Sequence, residues 1–230
     1  MKIYPVVHLR SPEHALELSQ QALEVGADGV FLIDHLSPRN LNVLDRAYNH
    51  VRRELGQSAW IGVNYLALSP SGAVNHMADM LEQGGIDSLP NAFWVDDGSA
   101  DHLDLTRLRE DRKVKDAEFF GGVAFKYTDT YTDNPSDAAG LVRTYGAGID
   151  VVTTSGPGTG YAADARKVAA MKAVLGDREL ALASGVSISN IEQYRFVDRI
   201  LAASSIETAS YSGIFVDRKL NDLVQAAHRE

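Results

Sequence analysis

Short apolar runs alternate with longer amphipathic stretches along the whole chain. The apolar runs fall near Ile3 to His8, Gly29 to Asp34, Trp60 to Leu66, Ala92 to Asp96, Phe119 to Lys126, Asp150 to Thr154, Leu180 to Ala183 and Arg199 to Ala203. Between and after them, helical spacing of apolar residues marks Pro12 to Val25, Leu41 to Leu55, Gly72 to Gln83, Leu103 to Asp111, Pro135 to Tyr145, Asp164 to Leu175, Asn190 to Phe196 and Arg218 to His228. A continuous apolar run of strand length is what a parallel strand buried on both faces requires, and the three-to-four spacing is that of a helix lying on such a sheet. Eight such units, about 25 to 30 residues apart, predict an α/β fold with one (β/α)8, or TIM, barrel as a single domain over residues 1–230. A doubly wound open sheet is the competing architecture, disfavoured by the lack of an early G-x-G-x-x-G. The joins Gly26-Ala27-Asp28-Gly29, Gly84-Gly85-Ile86-Asp87 and Gly146-Ala147-Gly148-Ile149-Asp150 recur like an internal repeat. Glycine there caps a helix and turns the chain into the next strand, on the stability face of a barrel.

Composition narrows the setting. The 230 residues contain no cysteine, so neither disulfides nor thiolate metal sites enter. The net charge of −9 disfavours nonspecific binding to nucleic acid or an anionic membrane. Met1-Lys2 leads directly into a short apolar run, and no run reaches membrane-spanning length, which makes a cytoplasmic location without membrane insertion the expectation.

Strand ends of a barrel converge on one pocket, so polar residues there are candidates for chemistry. His8 suits general acid-base work or hydrogen bonding to a substrate, with a structural histidine as the alternative. Asp34 follows the apolar run Gly29 to Ile33, where a carboxylate needs a use or a partner; His35 is expected to turn outward. Asn64 offers a hydrogen-bonding amide or a loop anchor. Of the pair Asp96 and Asp97, one faces the pocket; Asp96 is the expected one, with Asp97 capping the following turn. Lys126 can balance the charge of a phosphate or carboxylate or serve as a Schiff-base nucleophile, with an outward structural lysine as the alternative. Thr153-Thr154-Ser155 does not form G-x-S-x-G, which argues against a hydrolase nucleophile. No metal site is predicted, because His14, His50, His76, His102 and His228 lack ligand spacing.

Two glycine-rich loops complete the pattern. Thr154, Gly156, Gly158, Thr159 and Gly160 follow one strand; Ser184, Gly185, Val186 and Asn190 follow the next. Both are read as main-chain seats for an anion, ordinary tight turns being the alternative. Gly-Pro-Gly-Thr-Gly lacks the Lys-Ser/Thr of a P-loop and is weak by itself.

Taken in order, Val7-His8-Leu9, Gly62-Val63-Asn64, Lys126, Thr154 to Gly160 and Ser184 to Asn190 resemble the BtpA family of barrel proteins, named for a member linked to photosystem I biogenesis. The seventh-strand loop is also similar to that of ribulose-phosphate-binding and flavin-dependent barrels, and the resemblance implies that it holds a phosphate. The chain departs from the BtpA pattern at Arg10-Ser11-Pro12 and at Tyr127. After the eighth strand it has Ala203 to Thr208 where related barrels place glycines, and Glu207 would repel a phosphate if it faced the site.

The function expected is that of an enzyme on a small phosphorylated metabolite, a phosphosugar or nucleotide-like compound, with isomerase, lyase and transferase chemistry all open. In that reading Asp34 or Asp96 moves protons while His8 and Asn64 orient the reacting end. No cofactor is obligatory. An FMN-binding oxidoreductase and a noncatalytic assembly or stability factor are the alternatives, and a homo-oligomer is expected on general grounds.

Overall fold

In a computed structural model, residues 1–35, 40–66, 68–101 and 104–229 are described. His102 and the expected helix start at Leu103 therefore lie outside the described residues. The strands are β1 (Lys2–His8), β2 (Val30–Ile33), β3 (Ile61–Asn64), β4 (Ala92–Val95), β5 (Glu118–Gly122), β6 (Val151–Thr154), β7 (Glu179–Ala183) and β8 (Arg199–Ala202). The helices are α1 (Pro12–Glu24), α2 (Leu41–Leu55), α3 (Pro70–Glu82), α4 (Leu105–Asp111), α5 (Pro135–Tyr145), α6 (Ala165–Leu175) and α7 (Asp217–His228). All eight strands are parallel and pair in chain order, with β8 returning to β1, so the sheet closes into the expected (β/α)8 barrel.

Helix starts are written in the sequence. Ser11, Asn40, Ser69, Asp104, Asn134 and Asp164 each accept a backbone amide of the first turn, and proline opens α1, α3 and α5. One face of each strand packs against the helices, in a continuous layer that includes Ile3, Val7, Leu32, Val63, Phe93, Phe119 and Leu180. The other face fills the barrel with Tyr4, Val6, Phe31, Ile33, Trp94, Phe120 and Leu201. Gly62 makes room for this filling, since a Cβ there would stand 2.4 Å from the Phe31 ring. At the strand starts, the buried Arg199 guanidinium bonds Glu118 at 2.8 and 2.9 Å, pairs with Glu179 and lies over Phe120, closing that end.

Two elements differ from expectation. The fifth strand stops at Gly122, where the chain passes so close to β4 that a Cβ would stand 1.8 Å from the Asp96 carbonyl oxygen; Lys126 thus sits beyond a turn and not on the strand. The expected helix from Asn190 is a 3₁₀ turn, Ile191–Tyr194, led by the Asn190-centred loop bonds described below. No helix of the described residues is long and apolar enough to cross a membrane.

Candidate functional site

Side chains alternate across a strand, so the residues that continue the inward row past each strand end reach a common space. That space is a cavity of about 260 Å³ at the C-terminal end of the barrel. Val6, Ile33, Trp94 and Leu201 give it an apolar floor. His8, His35, Asn64, Asp96, Lys126 and Ser184 supply the polar groups of its wall.

The same alternation revises two expectations. Asp34 is outside the cavity's described lining; it follows Ile33, which faces inward, and its Oδ2 accepts the Asn40 amide at 3.0 Å, at the start of α2. His35, expected to face outward, is the next inward residue and lines the cavity, with its ring 4.8 Å from that of His8. On β4 the parity falls the expected way. Asp96 lines the cavity, while Asp97 Oδ1 accepts the Ser99 amide and hydroxyl at 3.0 and 2.6 Å.

Asn64 is buried and donates from Nδ2 to Asp96 Oδ1 at 3.2 Å. Its Oδ1 and the indole Nε1 of Trp94, its register partner on β4, have no partner among the described residues. Lys126 reaches in from the turn after β5 and donates from Nζ to Thr159 Oγ1 at 3.1 Å. Burial lowers the pKa of its ammonium below the ordinary lysine value, against the pull of the Asp96 charge. His8 is held from behind: its Nδ1 lies 2.7 Å from Oε1 of the fully buried Glu207. Glu207 thus faces His8 and the Gly213 amide, which it accepts at 3.1 Å, and does not line the cavity.

The two glycine loops hold each other. A Cβ on Gly156 would stand 2.3 Å from the Tyr161 carbonyl oxygen, and one on Gly185 would stand 2.1 Å from the same atom, so the Tyr161-Ala162 backbone is clasped between them. Ser184 Oγ accepts the Gly160 amide at 2.9 Å and donates to the Gly158 carbonyl at 3.2 Å. The Thr159 amide goes to Tyr127 Oη at 3.2 Å. Asn190 closes its own loop, accepting the Ser187 amide at 2.8 Å and donating to the Gly185 carbonyl at 2.8 Å. Thr154 is buried and donates to the Ala124 carbonyl at 3.3 Å, and Val186 is buried. Of the loop residues expected to hold a ligand, Thr159 and Ser184 line the cavity; the others build the loops around it.

Hydrogen-bonding capacity is left over elsewhere, between the ends of β7 and β8. Among the described residues, no acceptor takes the amides of Gly185, Val186, Ser204 or Ser205, and the buried hydroxyls of Ser204 and Ser205 have no partner. The Ile206 and Glu207 amides bond back to the Ala203 carbonyl, so Ser204 and Ser205 open a single helical turn whose first amides point away from it. In the sequence, the want of glycine and the charge of Glu207 count against this segment, but Glu207 is turned to His8 and the Gly213 amide.

Two tyrosines beyond strand reach were also missed. Tyr127 and Tyr211 both bond Thr159 Oγ1, and together with Ser184 they line the cavity with positive φ values of 62, 62 and 86°. Non-glycine residues held there are strained and concentrate at ligand sites. Behind the cavity, the fully buried Lys167 of α6 donates to the Ala124 and Ser155 carbonyls at 2.8 and 2.9 Å, tying the loops after β5 and β6 together.

No protein-family model matches the sequence, and no curated protein is significantly similar to it. Solved structures are similar in fold. Phosphoribosyl anthranilate isomerase from Thermus thermophilus superposes with a TM-score of 0.68 at 15% identity, over 100% of both chains. The Pyrococcus furiosus N-(5'-phosphoribosyl)anthranilate isomerase gives 0.63 at 15% identity, over 99% of this chain and 98% of the other. The (S)-3-O-geranylgeranylglyceryl phosphate synthase from Thermoplasma acidophilum, in complex with sn-glycerol-1-phosphate, gives 0.58 at 12% identity, over 98% and 92%. At these identities the likeness is one of fold, the closed eight-stranded barrel.

Proposed function

We propose that this barrel is an enzyme acting on a small phosphorylated metabolite, with the phosphate at the ends of β7 and β8 and the reacting end over the apolar floor. The observation that carries the reading is the group of amides at Gly185, Val186, Ser204 and Ser205 that have no acceptor among the described residues, next to Ser184 and Ser204 of a cavity wall that also carries the half-buried Lys126. Loops after the last two strands, with the N-terminus of a short extra helical turn, are a common phosphate seat in this fold. Neighbours named for phosphoribosyl and glycerol phosphate compounds support it. A BtpA-like assignment draws support from His8, Asn64, Lys126 and Ser184, four residues of that pattern, on one cavity wall. Isomerase, lyase and transferase chemistry fit the wall; its small volume favours a short phosphosugar over a nucleotide-like compound.

Isothermal titration with sn-glycerol 3-phosphate and inorganic phosphate tests the seat. Lys126→Met and Ser204→Asp should each weaken binding about tenfold or more, since each removes or opposes a charge-assisted contact. Unchanged affinity in both variants, or no binding by the wild type, would end this reading.

A further inference from the structure

We infer that His8 is the catalytic base of this cavity and Glu207 the residue that positions it, so that the reaction is removal of a proton from carbon beside a carbonyl of the phosphorylated substrate. This rests on the phosphate reading above and adds the reaction class to it.

Geometry comes first. His8 ends β1 on the inward row and lines the cavity; its side chain is 7% exposed and that of Glu207 is 0% exposed. The 2.7 Å contact joins Nδ1 to Oε1, and the same oxygen accepts the Gly213 amide at 3.1 Å. Lys219 Nζ holds the Glu207 carbonyl at 2.9 Å, fixing the backbone that carries the carboxylate. A carboxylate only accepts, so the imidazole proton sits on Nδ1 and the lone pair of Nε2 is left for the cavity. The rings of His35 and Tyr211, at 4.8 and 5.2 Å, fix the plane of the imidazole. Surface histidines have no use for a fully buried carboxylate; a base that becomes an imidazolium during turnover does.

Among the described residues, the other ionisable groups on the wall are His35, Asp96, Lys126, Tyr127 and Tyr211. Lys126 supplies the electrophile. In the step inferred, Nε2 takes the proton, the C–H electron pair becomes the C=C bond of an enediolate, and the carbonyl π pair moves onto oxygen beside the Lys126 ammonium. Glu207 stabilises the imidazolium, which returns its proton to the neighbouring carbon while the hydroxyl on the first carbon passes its proton to the enolate oxygen and becomes the new carbonyl. Atoms and electrons balance with no added reactant, as in an isomerisation.

Long-range ¹⁵N–¹H NMR of the full chain reads the ring directly. The expected spectrum shows His8 protonated at Nδ1 and bare at Nε2, with that preference lost in Glu207→Gln. A His8 protonated at Nε2, or a tautomer indifferent to Glu207→Gln, overturns the positioning role; the wild-type spectrum decides even if the variant does not fold. Proton NMR in D₂O with dihydroxyacetone phosphate and ribulose 5-phosphate reads the chemistry. Wild type should exchange the C–H beside the carbonyl of one of them. His8→Gln should slow this by about 100-fold or more with KM little changed, and Glu207→Gln should lower kcat without raising KM, with partial recovery in Glu207→Asp. No exchange by wild type, or exchange that survives His8→Gln, overturns the base. Titration with inorganic phosphate run alongside separates the two ideas: binding without exchange sinks this inference alone, whereas no binding sinks the seat.

Discussion

A lysine amine with no contact to water survives only where carbonyls or charges replace its hydration. Lys167 has the Ala124 and Ser155 carbonyls, Asp133 at 3.8 Å and the face of Tyr131, yet burial still lowers its pKa from 10.5 to about 8. Lys167→Met should destabilise the fold by about 2 kcal/mol or more in urea titrations at pH 7, because two buried carbonyls lose their donor. The sign of the pH effect follows from the lowered value. Between about pH 8 and 10.5 the unfolded chain holds the extra proton, so folded wild type gains stability relative to Lys167→Met as pH rises through that window. A gap that stays constant across it would show that the amine is not desolvated as described. Individual positions such as this one were the least legible in the sequence. Lys167 reads as an ordinary helix lysine, and Asp34 looked costlier than His35 because a buried carboxylate draws attention while strand parity, counted from Phe31 and Ile33, does not.

At the scale of elements, glycine spacing marked the loops after β6 and β7 correctly as unusual but not what the glycines are for. They let Tyr161-Ala162 pass between Gly156 and Gly185, and Gly185 also has a φ of 74°, where a side chain is strained. Gly185→Ala should therefore lower stability by about 1 to 3 kcal/mol, read as a fall in Tm whether or not phosphate is present. Retention of full stability would mean that the two loops do not clasp. The order of strands and helices was legible because apolar runs, proline at helix starts and Ser, Asn or Asp caps all coincide. The early end of β5 was not, since it is set by the approach of Gly122 to the Asp96 carbonyl, a contact between strands that no local pattern records.

The whole molecule brings together what is far apart in the chain. Closure of β8 onto β1 places the Ala203 to Glu207 turn beside His8, nearly two hundred positions earlier, and lets a carboxylate that seemed to threaten an anion site serve a histidine. That closure also sets open amides at the neighbouring ends of β7 and β8, while the β6 loop gives its Thr159 and Gly160 amides to Tyr127 and Ser184. Backbone amide NMR during titration with inorganic phosphate tests this most directly. The amides of Gly185, Val186, Ser204 and Ser205 should shift together along one saturating curve while those of Thr159 and Gly160 move little; shifts confined to Gly156 through Gly160 would contradict the account.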